Sequence, residues 1–135
     1  MASKNAQIEK VFSNALRTWS AVQVVDVATK GYEPVSGSCY VAQSLIPSVP
    51  QTVFVGRTEK QRFTGIYQID VYSSTENAEY DADQLIESLE STFKTGYPVI
   101  YGSLIVQITN VSVQPLGLEE GWYRAAISIY YTIDM

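Results

Sequence analysis

The period of the apolar residues changes repeatedly along this chain, and that change limits the fold more than any other feature. Ile8, Val11, Phe12, Ala15, Leu16 and Trp19 recur at intervals that line one face of an α-helix. Ser3 stands where its hydroxyl can cap the first turn, and the pattern fades after Ser20. From 63 to 72 the period is two. Phe63, Gly65, Tyr67, Ile69 and Val71 point one way, and Thr64, Ile66, Gln68, Asp70 and Tyr72 the other. A second helical stripe runs from about Thr75 to Phe93 through Ala78, Ala82, Leu85, Ile86 and Leu89. Ser73 and Glu76 have capping-box spacing before it, and Lys94 and Gly96 mark its end. From 122 to 133 the period returns to two, with Tyr123, Ala125, Ile127, Ile129, Tyr131 and Ile133 on one side.

Between these elements the signals are mixed. Gly31, Pro34 and Gly37 predict a loop over 26–37, and 38–46 reads as a strand closed by Pro47. A long connection is expected from Pro47 to Gln61, although Val53, Phe54 and Val55 could add a short strand to it. Arg57, Lys60 and Arg62, three of the nine basic residues, lie in it or just beyond. Residues 99–101 and 104–113 read as strands separated by Gly102, and Pro115, Gly117 and Gly121 as the loop of a closing antiparallel hairpin. A helix with one apolar stripe must bury it, and two such helices beside several strands are best served by a sheet face. The expected architecture is a single α+β domain over 1–135, with two helices packed on one face of a four- to five-stranded, mainly antiparallel sheet.

That arrangement leaves the other sheet face to be explained. It would present Trp122, Arg124, Ala126, Ser128, Tyr130 and Thr132 beside Ile66, Gln68 and Tyr72. Subunit interfaces have such mixed compositions, and so do some ordinary solvated β faces. Trp122, Arg124 and Tyr130 are therefore candidate partner-binding residues, together with Arg57, Lys60 and Arg62.

Composition excludes most chemistry. The absence of histidine removes Ser-His-Asp and Cys-His nucleophile arrangements and histidine-bearing metal sites. The single Cys39 allows no internal disulfide and reads as a small buried apolar residue. Neither a P-loop nor a Gly-x-Gly-x-x-Gly occurs. No catalytic, cofactor or metal site is predicted. A net charge of −5 and a pI near 4.6 argue against a nucleic-acid-binding surface. No apolar run reaches the roughly 18 residues of a membrane span, and the N-terminus lacks the apolar core of a signal peptide, so folding in the cytoplasm is expected. One charge pattern stands out. Glu76, Glu79, Asp83, Glu87 and Glu90 fall along one stripe of the second helix. A solvated face, a surface turned toward DNA or a basic neighbour, and a carboxylate metal site all fit it, in that order of preference.

The run Phe63-Thr64-Gly65-Ile66-Tyr67-Gln68-Ile69-Asp70-Val71-Tyr72, the Ala82-Asp83 helix and Phe93-Lys94-Thr95-Gly96 resemble the bacteriophage tail-terminator-like family of the minor tail protein U type. The closing strand with Tyr123, Ile127, Ile129 and Tyr131, the opening helix ending in Trp19 and the Tyr40-Val41 strand fit as well, so the resemblance covers nearly the whole chain. It implies a structural virion protein rather than an enzyme. Such proteins form a ring, usually a hexamer, on the end of the tail tube, stop tube polymerisation and present a new surface to the head connector. Implied partners are copies of the chain, the tail tube protein and the connector, with DNA passing through the lumen unbound and no membrane involved. The acidic stripe could then line that lumen. Two alternatives are a neck or head-completion protein bound to the connector, and a small-molecule-binding α+β domain. The second would need a pocket in space that Phe12, Trp19, Tyr67 and Phe93 are expected to fill.

Overall fold

Both apolar stripes form helices on the same side of one sheet. The computed structural model of the chain describes all residues except Met1, Ala2, Lys30, Gly56 and Arg57; for 51–55 and 58–60 it describes the backbone only. Helix α1 spans Lys4–Gln23 and buries Ile8, Val11, Phe12, Leu16 and Trp19, the residues its spacing selects. The Ser3 hydroxyl accepts the Ala6 amide at 3.1 Å, and Val24 ends the helix in the left-handed region. Helix α2 spans Ala78–Thr92 and buries Ala82, Ile86 and Leu89. The two helices are tied by Trp19, whose indole Nε1 donates to Ser88 Oγ at 2.9 Å.

The predicted capping box does not form. Ser73 is the last residue of a strand and fully buried, with its hydroxyl 3.3 Å from Cys39 Sγ and from Thr75 Oγ1. Asn77 takes the N-cap position without a side-chain bond, while Thr75 donates its hydroxyl proton to Asp81 in the first turn.

Among the described residues seven strands form the sheet, against the four or five expected: β1 Asp26–Val27, β2 Cys39–Pro47, β3 Gln51–Val55, β4 Thr58–Ser73, β5 Pro98–Tyr101, β6 Leu104–Glu119 and β7 Trp122–Asp134. Their order is β1-β2-β4-β7-β6-β5, with β3 beside β4, and every pair is antiparallel except β1 with β2. Three differences from the expected layout have local causes. The stretch read as loop over 26–37 contributes β1, which is too short to show any period. The predicted hairpin loop around Pro115 is strand, because the β6–β7 register shifts at 115/117 and a bulge accommodates the prolyl residue. The long connection is mostly β-structure. β2 and β3 run end to end along one side of β4, interrupted only at 48–50, where the Ser48 amide still reaches the Thr64 carbonyl at 2.9 Å.

The distal part of that hairpin leaves the sheet. β2 follows β4 only as far as Pro47 opposite Gly65, and the Gln61 and Met135 backbones exchange the last bonds on the β7 side, at 3.2 and 3.0 Å. Beyond them β3 and Thr58–Lys60 pair with each other alone among the described strands.

The core lies between the helices and β4 and β7. Phe63, Tyr67, Ile69 and Val71 of β4 and every odd residue of β7 from Tyr123 to Ile133 are buried there. Phe12 stacks on Tyr67 at 4.5 Å and 10° and meets Tyr131 edge-on at 5.5 Å, with Phe93 closing the group. These rings fill the space between the layers. Tyr67 donates to Gln43 Oε1, and burial first, then nearby Glu9, pushes its phenol far above the usual range. Gly65 is needed because a Cβ there would lie 2.5 Å from the Ile46 carbonyl and 2.8 Å from the Tyr131 hydroxyl.

Candidate assembly surfaces

Residues opposite one another on adjacent antiparallel strands share a face, so register decides which side chains meet on the uncovered side of the sheet. Tyr40 of β2 is paired with Tyr72 of β4, and Tyr72 with Arg124 of β7. The Tyr40 and Tyr72 rings stack at 4.5 Å and 5°, Trp122 meets Tyr40 edge-on at 5.3 Å, and the Arg124 guanidinium lies 5.1 Å above the Tyr72 ring. Tyr32 extends the group, 5.3 Å from Tyr40, and donates its hydroxyl proton to Asp26 at 3.1 Å. Arg124 also pairs with Glu119 at 3.4 Å. Tyr40, Tyr72 and Trp122 are half-buried, and their surroundings form a shallow depression rimmed by Glu119 and Glu120. Burial, then the neighbouring Tyr72, raises the Tyr40 phenol, against the lowering effect of the Arg124 charge.

The sequence-predicted residues divide around this cluster. Trp122 and Arg124 belong to it. Tyr130 does not: it sits further along β7, opposite Ile66, 37% exposed and near the exposed Ile46. Tyr32 and Tyr40 belong to it and were not selected from sequence. For Tyr40 the available signal was its alternation with Val41; for Tyr32 there was none, because a loop residue carries no period.

The basic and acidic candidates lie at opposite ends of β4. Arg62 makes a two-pronged ion pair with Asp134, at 2.9 and 3.2 Å, which commits it within the chain. Lys60 stands opposite Val53 in the projecting hairpin; its side chain lies outside the description, and Arg57 lies outside the described residues altogether. Glu79, Asp83, Glu87 and Glu90 are exposed on α2, whereas Glu76 precedes the helix in a turn, so the stripe is one residue shorter than its spacing predicts. Among the described residues no group of His, Cys, Asp or Glu is placed to hold a metal ion.

Beside Glu76, Glu79 and Asp83 runs a groove of about 870 Å³, between the start of α2 and the β6–β7 turn. Tyr123, Leu118 and Ala78 line it, with Tyr80 at its edge. Leu118 is 75% and Tyr80 65% exposed, high values for large side chains of low polarity. Asp83 and Glu79 line the same groove as Tyr123, and burial, followed by their charges, raises its phenol. No helix among the described residues is long and apolar enough to cross a membrane. The arrangement offers exposed and half-buried surfaces on which a partner could dock.

Comparison with known proteins agrees with this layout. A search of curated protein sequences returned no match. One solved chain superposes with a TM-score of 0.73 over 95% of this chain and 94% of its own length at 18% identity, a likeness of fold alone. A family model described as phage tail terminator protein matches residues 7–131.

Proposed function

This chain belongs to the phage tail terminator family, and from that premise we propose that it closes as a ring on the end of the tail tube, stops tube polymerisation and offers its far surface to the head connector. A phage tail structural role and a place in the virion tail follow from the family; the ring, its hexameric count and its two neighbours are the proposal. The observation that carries it is the half-buried aromatic cluster on the uncovered sheet face. One sheet face is sealed by α1 and α2, and the other holds Tyr40, Tyr72 and Trp122 in an ordered stack that a neighbouring subunit would complete. Aromatic rings with an arginine among them are the composition of interface centres. A ring built from one unlike contact repeated around an axis has two different ends, which lets it meet the tube on one side and a connector on the other. The net charge of −5 suits a lumen through which DNA passes without being held.

Tail length decides the matter. Phage lacking this protein should produce tails of uncontrolled length by electron microscopy, restored to one length by the wild-type chain. Normal tail length without it overturns the terminator reading, and labelled protein found on the head vertex rather than the tail end would make it a neck protein.

A further inference from the structure

Strand β6 is covered over its first half and bare over its second, and the change falls at one residue. β5 flanks it as far as Gln107, and the Gly96 and Tyr97 backbones add the last bonds to Ile108, at 2.8 and 3.3 Å. Beyond Ile108 no described strand lies on that edge. The helix-side row breaks off at the same place. Val106 and Ile108 are buried, whereas Val113 is 40% and Leu118 75% exposed, although they stand opposite the buried Ile127 and Tyr123 of β7. From 104 to 118 the strand carries no charged residue. Open edges are usually guarded by charge, proline or bulges. Here the guards stand only at the limits, as bulges at 108/110 and 115/117 and as Pro115, which leaves 109–114 as a short, uncharged edge.

We infer that this edge receives an extended segment of another virion chain, added to the sheet as one more strand. Unpaired strand backbone fixes the guest's conformation, because only an extended chain can return its alternate N–H and C=O groups. The exposed Val113 and Leu118 call for apolar guest side chains on the helix side. Glu76, Glu79 and Asp83 line the adjoining groove with Leu118 and Tyr123, and no basic residue does, so the guest carries lysine or arginine beside its apolar residues. The described basic side chains of this chain lie on α1, at Lys94 beyond α2, or in the Arg62–Asp134 and Arg124–Glu119 pairs, and none stands on a free extended segment. The guest is therefore a different chain. The inference goes beyond the ring reading and does not depend on it.

The test uses the full chain and a synthetic peptide of alternating valine and lysine, as long as the open edge. Amide hydrogen exchange read by NMR should slow about tenfold or more at alternate residues of 109–114 when the peptide is saturating. N-methylation of the peptide at every second amide should abolish binding for one set and spare the other, because a strand bonds to a given neighbour through one edge only. A peptide of alternating valine and glutamate should bind about tenfold more weakly, and Glu79→Lys with Asp83→Lys should reverse that preference. Val113→Asp, checked for folding by circular dichroism, should lose the valine and lysine peptide. In assembled tails the same amides should exchange more slowly than in the free chain, read by mass spectrometry. Unchanged exchange at 109–114 with peptide or in tails, equal tolerance of the two methylated sets, or equal binding of the two peptides overturns the inference. Protection that rises with the concentration of this chain alone, without peptide, assigns the edge to a second copy and overturns it too. Normal tail length in phage lacking the protein would overturn the terminator reading and leave this contact standing.

Discussion

Tyr67 and Tyr72 lie five residues apart on the same strand, and each belongs to a cluster of aromatic rings, yet one cluster is buried and the other is not. An odd separation puts the two side chains on opposite faces of the sheet. Tyr67 stacks on Phe12 under the helices and is fully buried with Tyr131 and Phe93. Tyr72 stacks on Tyr40 just as closely, but among the described residues no helix covers the pair, and both rings are half-buried. Ring geometry is thus no guide to role. What separates the buried cluster from the half-buried one is the layer above it: two helices on one side, and on the other only side chains of the sheet and its turns, with Glu119 and Glu120 at the rim among the described residues.

If that contrast is sound, truncations on the two faces should diverge. Phe12→Ala removes the ring at the centre of the covered cluster and should lower stability by about 3–5 kcal/mol, read as a shift in the denaturant midpoint. Tyr72→Ala should lower it by only about 0.5–1.5 kcal/mol while reducing self-association, and equal losses from the two would erase the distinction. Gly65→Ala comes next. The new methyl would meet the Ile46 carbonyl at 2.5 Å and the Tyr131 hydroxyl at 2.8 Å, and about 1–3 kcal/mol of overpacking should appear in thermal melts. The loss should stay on the covered side, leaving the Tyr40–Tyr72 stack intact by near-ultraviolet dichroism.

Alkaline titration sharpens the comparison from another direction. Burial raises the Tyr67 and Tyr131 phenols above their unfolded value near 10. The folded state therefore holds these protons more tightly than the unfolded state. Their contribution is complete below about pH 10 and is lost as pH rises from there toward the folded values, by about 1.4 kcal/mol per pH unit for each group. Tyr67→Phe should remove its share of that slope, and a slope unchanged by the substitution would show that the alkaline loss comes from elsewhere. The smallest effect is expected at the rim. Glu119→Gln breaks a partly exposed pair with Arg124 and should change stability by less than about 0.5 kcal/mol in the free chain.

The covered half of the molecule was legible from sequence because burial leaves a period. Ile8 to Trp19, Ala82 to Leu89 and the alternation from Tyr123 to Ile133 all lie where their spacing puts them. The uncovered half was less legible, for particular reasons. Tyr40 and Tyr72 meet through a register set by 31 residues of intervening chain, which no local pattern encodes. Ser73 has the spacing of a cap, but the demand for a buried strand end decides its place. Pro115 reads as a breaker and is absorbed by a bulge. Val53, Phe54 and Val55 hinted at a strand, but the prolines before them made a loop the simpler reading, and only the backbone shows that β3 continues the line of β2.

That continuity has a mechanical side. β4 leads from the projecting ribbon, through the middle of the sheet, to the turn before α2. From Arg62 to Ser73 it is bonded to β7, and from Gly65 onward to β2 as well. A pull on the ribbon along this strand would therefore be shared among many bonds loaded sideways at once, as in a lap joint, instead of peeling them apart in turn. Force entering at one end of the subunit would be delivered to the other with the domain still folded.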